Sequence, residues 1–199
     1  AALSQAIADR RTLPAPYAVD PDAMRAILES ADSLDAFAGL LQDSPTAAPD
    51  DIPDFAEARG SLRSPVIGTI LRQFGETDAA GIARPGLVIA SRPHSLLTAP
   101  WPSSVRYTGP LLDYGNVVIL EPEADYLLIL AGLGEVFVEA GQLVRAEAPL
   151  GLMPGPHATG EELIVPPPEA GGAILSETLY LELREDGRPV DPEDWFALE

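Results

Sequence analysis

Residues 177–196 read ETLYLELREDGRPVDPEDWF. Leu179, Leu181 and Leu183 fall on one side of an alternation, and Thr178, Tyr180, Glu182 and Arg184 on the other. Strand side chains point to opposite faces with period two, so this stretch predicts a half-buried strand with a leucine underside. Asp186-Gly187 then supplies the residue pair of a tight hairpin turn. The upper face carries an aromatic hydroxyl, an acid and a guanidinium. None of these readily attacks a substrate or holds a metal.

The same texture runs back to Pro65. Short apolar runs separated by Gly, Pro and Asp predict strands at Leu87–Ala90, Leu96–Thr98, Val105–Tyr107, Val117–Leu120, Tyr126–Leu130, Val136–Val138, Leu143–Val144 and Leu150–Leu152. Many short strands with few intervening helices predict a sandwich or open barrel. Residues 154–173 cluster Pro and Gly without periodicity and predict one long loop.

The first third of the chain is different. Residues 1–12 read as the last turns of a helix, ended by Pro14 and Pro16. Asp20 is a candidate N-cap and Pro21 an N1 proline. The apolar series Met24, Ile27, Leu28, Ala31, Leu34, Phe37, Leu40 and Leu41 then draws one stripe along a single helix over 21–41. Residues 43–58 are rich in proline and acid and read as a tether with little structure of its own. The chain thus divides into 1–12, an arm over 13–60 and a β domain over 61–199. It begins in mid-helix, which is the expectation for a piece of a longer protein.

Composition excludes whole classes of chemistry. There is no cysteine, and all 12 basic residues are arginine. Disulfides, thiol nucleophiles, Schiff bases and P-loops are therefore ruled out. A formal net charge of −19 disfavours nucleic acid and anionic membrane surfaces. No apolar run approaches the roughly 20 residues of a membrane span. A catalytic zinc needs three protein ligands, yet the two histidines, His94 and His157, both fall in Pro-flanked loops. No nucleophile elbow occurs, and GLGEVF at 132–137 lacks the third glycine of a dinucleotide loop. The acid pairs Asp50-Asp51 and Glu161-Glu162 lie in polar loops and read as solvated surface.

From about Pro65 onward the ordered motifs PVIGTILRQFGETD, RPGLVIA, LLTAPWPSSVRYTG, DYGNVVILEP, YLLILAGL, VEAGQLVRAEAPLG and ETLYLELREDGRPVDPEDWF resemble the LytM (lysostaphin-like) zinc metallopeptidases. The resemblance implies a mainly β, α+β fold overall: a LytM-type two-layer antiparallel β-sandwich or open barrel preceded by a helical segment. In that family an HxGxD stretch, a histidine after a central strand and a late HxH hold and serve the zinc. Carried onto this chain, those positions are Arg84, Val88, Gly132, Thr178 and Tyr180. None can replace the lost ligands, so the resemblance implies neither metal nor cofactor and no catalytic residue.

This pattern is similar to the EnvC-like murein hydrolase activators, whose degenerate LytM domain switches on zinc-dependent N-acetylmuramoyl-L-alanine amidases. The likeness implies a periplasmic activator of peptidoglycan cleavage at cell division, regulated by an FtsEX-type ABC transporter through an upstream coiled coil. It also implies that Arg84, Val88, Gly132, Thr178, Tyr180 and Arg184 line a vestigial groove for a partner helix. Tyr180 and Arg184 are residue types favoured at binding hot spots, and Arg84 is expected to project from the neighbouring strand. Small residues at Gly132 and Thr178 are expected to leave room for the incoming helix. Two readings of the helix bearing Met24, Ile27, Leu28, Ala31, Leu34 and Phe37 stay open: a swinging plug for that groove, or a permanently packed structural element. The alternative function is a non-catalytic peptidoglycan-binding module.

Overall fold

The computed structural model describes residues 20–43, 54–77, 81, 83–155 and 177–197. Two helices come first, α1 (Pro21–Ser30) and α2 (Leu34–Gln42). The strands are β1 (Leu62–Arg63), β2 (Gly68–Arg72), β3 (Leu87–Ser91), β4 (Leu96–Thr98), β5 (Ser103–Pro110), β6 (Asn116–Glu123) and β7 (Tyr126–Leu133). They continue as β8 (Glu135–Val136), β9 (Leu143–Val144), β10 (Pro149–Leu152), β11 (Glu177–Glu185), β12 (Arg188–Val190) and β13 (Phe196–Ala197). The fold is mainly β with a helical pair on its N-terminal side, as the sequence predicts.

Strand β11 lies in the middle of an eight-stranded sheet ordered β2-β3-β11-β7-β6-β5-β9, with β12 paired to β11 through the Asp186-Gly187 turn. Both turn residues have positive φ, 50° and 74°, which the mirror-image hairpin turn requires. Leu179, Leu181 and Leu183 are fully buried and face one core, together with Leu87, Ile89, Val118, Leu120, Leu128 and Leu130. That core is closed on its far side by a three-stranded sheet, β4-β10-β8, and by the parallel pair β1-β13. The intervening residues Tyr107, Val117, Ile119, Leu127, Ile129 and Ala131 face the opposite way, into a second core capped by α1 and α2. The central runs of β6 and β7 are apolar throughout because both faces of these strands are covered.

Three expectations are corrected here. Strand β11 is not half-buried: Tyr180, Glu182 and Arg184 are 9%, 1% and 2% exposed, because the helices cover the polar face. The single helix over 21–41 is two. Asp20 caps the first as expected, its carboxylate accepting from the backbone N–H of Asp22 and Ala23. Ala31 then turns extended, and Ser33 caps α2 by accepting from Ala36 N–H at 3.1 Å. An apolar stripe cannot distinguish one helix from two that share a face, whereas a capping serine worth about 1 kcal/mol can restart the chain in a new direction. The third correction concerns the tether, whose end belongs to the core. Phe55 and Ala58 are buried, with the Phe55 ring stacked on Trp195 at 4.8 Å and its N–H donated to Glu123 at 3.0 Å.

The other strand expectations overlap the observed elements, though the one over Val136–Val138 meets β8 only at Val136; β1, β2, β12 and β13 are additional. The helix expected over residues 1–12, most of the tether and all but the start of the loop expected over 154–173 lie outside the described residues.

Candidate functional site

The floor of the expected groove is the polar row of β11. Side chains two residues apart on a strand share a face, and here three successive ones bond to each other. The Tyr180 hydroxyl donates to Glu182 Oε2 at 2.6 Å, and Arg184 Nε donates to Glu182 Oε1 at 2.6 Å. Arg184 Nη1 donates to the Gly187 carbonyl at 3.3 Å, and Nη2 pairs with Asp35 Oδ1 of α2. Burial raises the pKa of Glu182, opposed by Arg184 and by the Tyr180 hydrogen bond. Burial and the neighbouring Glu182 carboxylate push Tyr180 upward. Burial acts to lower Arg184, but Glu182 and Asp35 together raise it.

A carboxyl whose folded pKa lies above its unfolded one contributes stability that is full below the unfolded value and lost as pH rises through the folded value. The stability difference between the native chain and Glu182→Gln should therefore move in favour of the variant as pH rises from 4.5, the group's ordinary value, to neutrality. Urea unfolding of both chains across that range checks it. A difference that does not vary with pH would contradict the assignment.

The helical pair lies on this face. Ala31, Leu34, Phe37, Ala38 and Leu41 are buried in one cluster with Tyr180, and Met24, Ile27 and Leu28 pack half-buried against it. Phe37 meets Tyr107 edge-on with centroids 4.9 Å apart. Gln42 Nε2 donates to the Asp125 carbonyl at 3.0 Å. At the end of α2 the Leu41 carbonyl, which no helical turn can satisfy, accepts from buried Arg106 Nη2 at 2.7 Å. Arg106 also donates from Nη1 to buried Glu121 at 2.6 Å. Arg106 is the extra residue of a β-bulge, since Val105 pairs with Leu120 and Tyr107 with Ile119. A bulge re-aims a side chain, which is how an arginine in a core strand comes to reach the helix end.

The former ligand positions are only partly gathered. Val88 and Ala131 flank Tyr180 in register, and Val88 packs against the same cluster. Arg84 is not on the neighbouring strand but in the turn that precedes β3. It donates to the Tyr114 hydroxyl at 3.0 Å, with its guanidinium 5.9 Å from that ring, and Tyr114 in turn lies 5.7 Å from Tyr180. Asp32, Leu34, Arg84 and Tyr114 border a cavity of about 380 Å³ where the helical turn meets this group. Thr178 is exposed at the start of β11.

The φ of Gly132 is +97°, and a Cβ there would stand 2.7 Å from the Thr178 carbonyl oxygen. The missing side chain lets the β11 backbone approach. A histidine at this position would collide with that backbone. The donor set available to a zinc ion is thus a guanidinium, an aliphatic chain, a bare backbone, a hydroxyl and a buried tyrosine already bonded to Glu182; these residues do not fit the metal. Among the described residues no group of three His, Asp or Glu side chains is close enough to hold one. The His94 ring packs against Gly155, and His157 lies outside the described residues.

The pattern that defines peptidase family M23 matches residues 83–192, more than half of the chain. The chain belongs to peptidase family M23. It is 25% identical over 139 residues to the murein hydrolase activator EnvC of Escherichia coli, a match covering 70% of this chain and 30% of that protein. It is 29% identical over 142 residues to an uncharacterized protein of Neisseria meningitidis serogroup B, covering 71% of this chain and 21% of the relative. The chain therefore spans less than a third of the length of either. Among solved structures, a putative peptidase M23 from Pseudomonas aeruginosa superposes with a TM-score of 0.59 at 18% identity, over 88% of this chain and 62% of that one. Csd3 of Helicobacter pylori superposes at 0.52 with 19% identity, over 69% and 35%. At such identities the likeness concerns the fold alone. No helix among the described residues is long and apolar enough to cross a membrane.

Sequence reasoning missed Asp35, Arg106, Glu121 and Tyr114. An exposed acid in the first turn of a helix is ordinarily a dipole partner, and nothing local marks a bulge in SSVRYTG.

Proposed function

We propose that this chain is a non-enzymatic, periplasmic activator of zinc-dependent N-acetylmuramoyl-L-alanine amidases. In this reading the M23 groove grips a partner helix and the α1–α2 arm occupies the same floor at rest. The observation that carries it is the hydrogen-bonded row Tyr180–Glu182–Arg184 running into Asp35 of the arm, in a domain whose ligand positions no longer suit zinc. The 25% identity to a murein hydrolase activator supports the choice of partner.

Electrostatics suits a detachable arm. Removing α2 takes away Asp35 but leaves Arg184 paired with Glu182, and Arg106 paired with Glu121. The floor therefore stays charge-balanced when uncovered, and its exposed rings and guanidinium forks are the side chains on which helix-in-groove recognition depends. An FtsEX-type ABC transporter, working through an upstream coiled coil, is the regulator in this reading.

The test pairs the purified chain with a zinc amidase and dye-labelled murein sacculi. The expected result is dye release only when both proteins are present, reduced by Tyr180→Ala. Release by the chain alone would make it a hydrolase. Retention on sacculi without any effect on the amidase would favour a peptidoglycan-binding module.

A further inference from the structure

The outer edge of the main sheet plays no part in the groove. Strand β2 is the terminal strand of the described sheet, paired with β3 alone. A terminal strand offers a row of backbone N–H and C=O groups on its free side, and folds commonly guard such edges with charge or proline. Gly68–Ile70 has neither; pairing is interrupted only afterwards, by the bulge at Leu71. Ile67 at the head of this edge is 92% exposed, and Leu71 57%. Beside them lies a cavity of about 300 Å³ lined by Val66, Ile67, Ile70 and Ile89, bounded by Arg63 of β1 and Ala197 of β13.

Two cations stand at the same place. Residues 58–112 contain six arginines, of which Arg59, Arg63 and Arg106 are paired with Asp194, Glu147 and Glu121. Arg72 closes β2, and Arg92 follows Ser91, the partner of Gly68, so the two stand at opposite ends of the β2–β3 ribbon. Among the described residues neither has an ion pair.

We propose that β2 is a strand-addition site for an extended acidic segment of a partner polypeptide. The segment's main chain ladders onto Ile67–Ile70, one of its apolar side chains enters the cavity, and its carboxylates meet Arg72 and Arg92. Strand addition draws affinity from the backbone ladder and selectivity from pockets for alternate side chains, and this edge supplies both. A second copy of this chain fits poorly, because antiparallel β2–β2 pairing would bring Arg72 of one copy to the end of the ribbon that carries Arg92 of the other. The site stands independently of the amidase reading, since none of the groove residues takes part in it.

The probe is a capped peptide of alternating valine and glutamate, added to the full chain and read by backbone hydrogen exchange and by fluorescence titration. The expected result is protection of residues 67–70, abolished by Ile67→Asp. Arg72→Glu should weaken the titrated affinity by about tenfold, the scale of one lost charge-assisted contact. Ile67 is too exposed for its replacement to disturb the fold. Absence of protection at 67–70, or equal binding of a valine–lysine peptide, overturns the proposal. So does a dimer of the native chain that Ile67→Asp dissolves, which would make the edge a self-association surface.

Discussion

If the chain activates an amidase as proposed, deleting residues 1–50 should raise that activation by up to about a hundredfold, and Phe37→Ala should approach the same level without truncation. Phe37 is fully buried between α2 and Tyr107. Removing a buried phenylalanine costs about 3–5 kcal/mol, and that cost falls on the docked arm alone. A penalty of about 3 kcal/mol shifts a docked-to-free equilibrium by somewhat more than a hundredfold, and the gain stops once the arm is free. The cut must fall before Asp54, because Phe55 and Ala58 pack in the core beneath Trp195. A deletion extending to residue 60 would damage the domain along with the arm. Dye release from labelled sacculi reads the activation, and sedimentation checks that the uncovered face bearing Tyr107, Ile119 and Ile129 has not driven association. Equal activation by the full and shortened chains would make the helices an ordinary part of the fold.

Arg184→Ala should be the most destabilising single change in the groove. Arg184 is 2% exposed and is held by Glu182 from below and Asp35 from above. Its loss strands the Glu182 carboxylate in a dry site, where breaking a buried pair costs about 3–5 kcal/mol. For a chain of this size that lowers the melting temperature by roughly 10 °C. Asp35 differs, its side chain being 77% exposed. Asp35→Asn should leave the melting temperature of the domain nearly unchanged while loosening the arm, seen as faster hydrogen exchange in α2. Replacing both Glu182 and Arg184 by Leu and Met should recover most of the stability lost in Arg184→Ala, because two apolar groups need no partner. If Arg184→Ala melts with the native chain, the row is not a coupled network.

The strands were legible for a local reason. Period two in TLYLELR and uninterrupted apolar runs in NVVIL and YLLIL report how many faces of a strand are covered, and both signals sit within a few residues. The polar side of β11 misled by the same logic, since a row of Tyr, Glu and Arg reads as solvated unless its members satisfy one another. Here they do, and the remaining guanidinium nitrogen finds a carboxylate in a helix 149 residues earlier.

The sequence by itself determined the mainly β character, the leucine underside of β11, the Asp20 cap and, through its ordered motifs, the likeness to LytM domains stripped of zinc ligands. Tertiary structure decided which face the helical pair covers, that Arg106 is turned by a bulge to cap α2, that Gly132 is bare for the sake of the Thr178 carbonyl, and that Phe55 anchors the tether. Period and composition act over neighbouring residues. Burial of a charged row and closure of a helix end depend on residues brought together across the chain, and no local pattern encodes that distance.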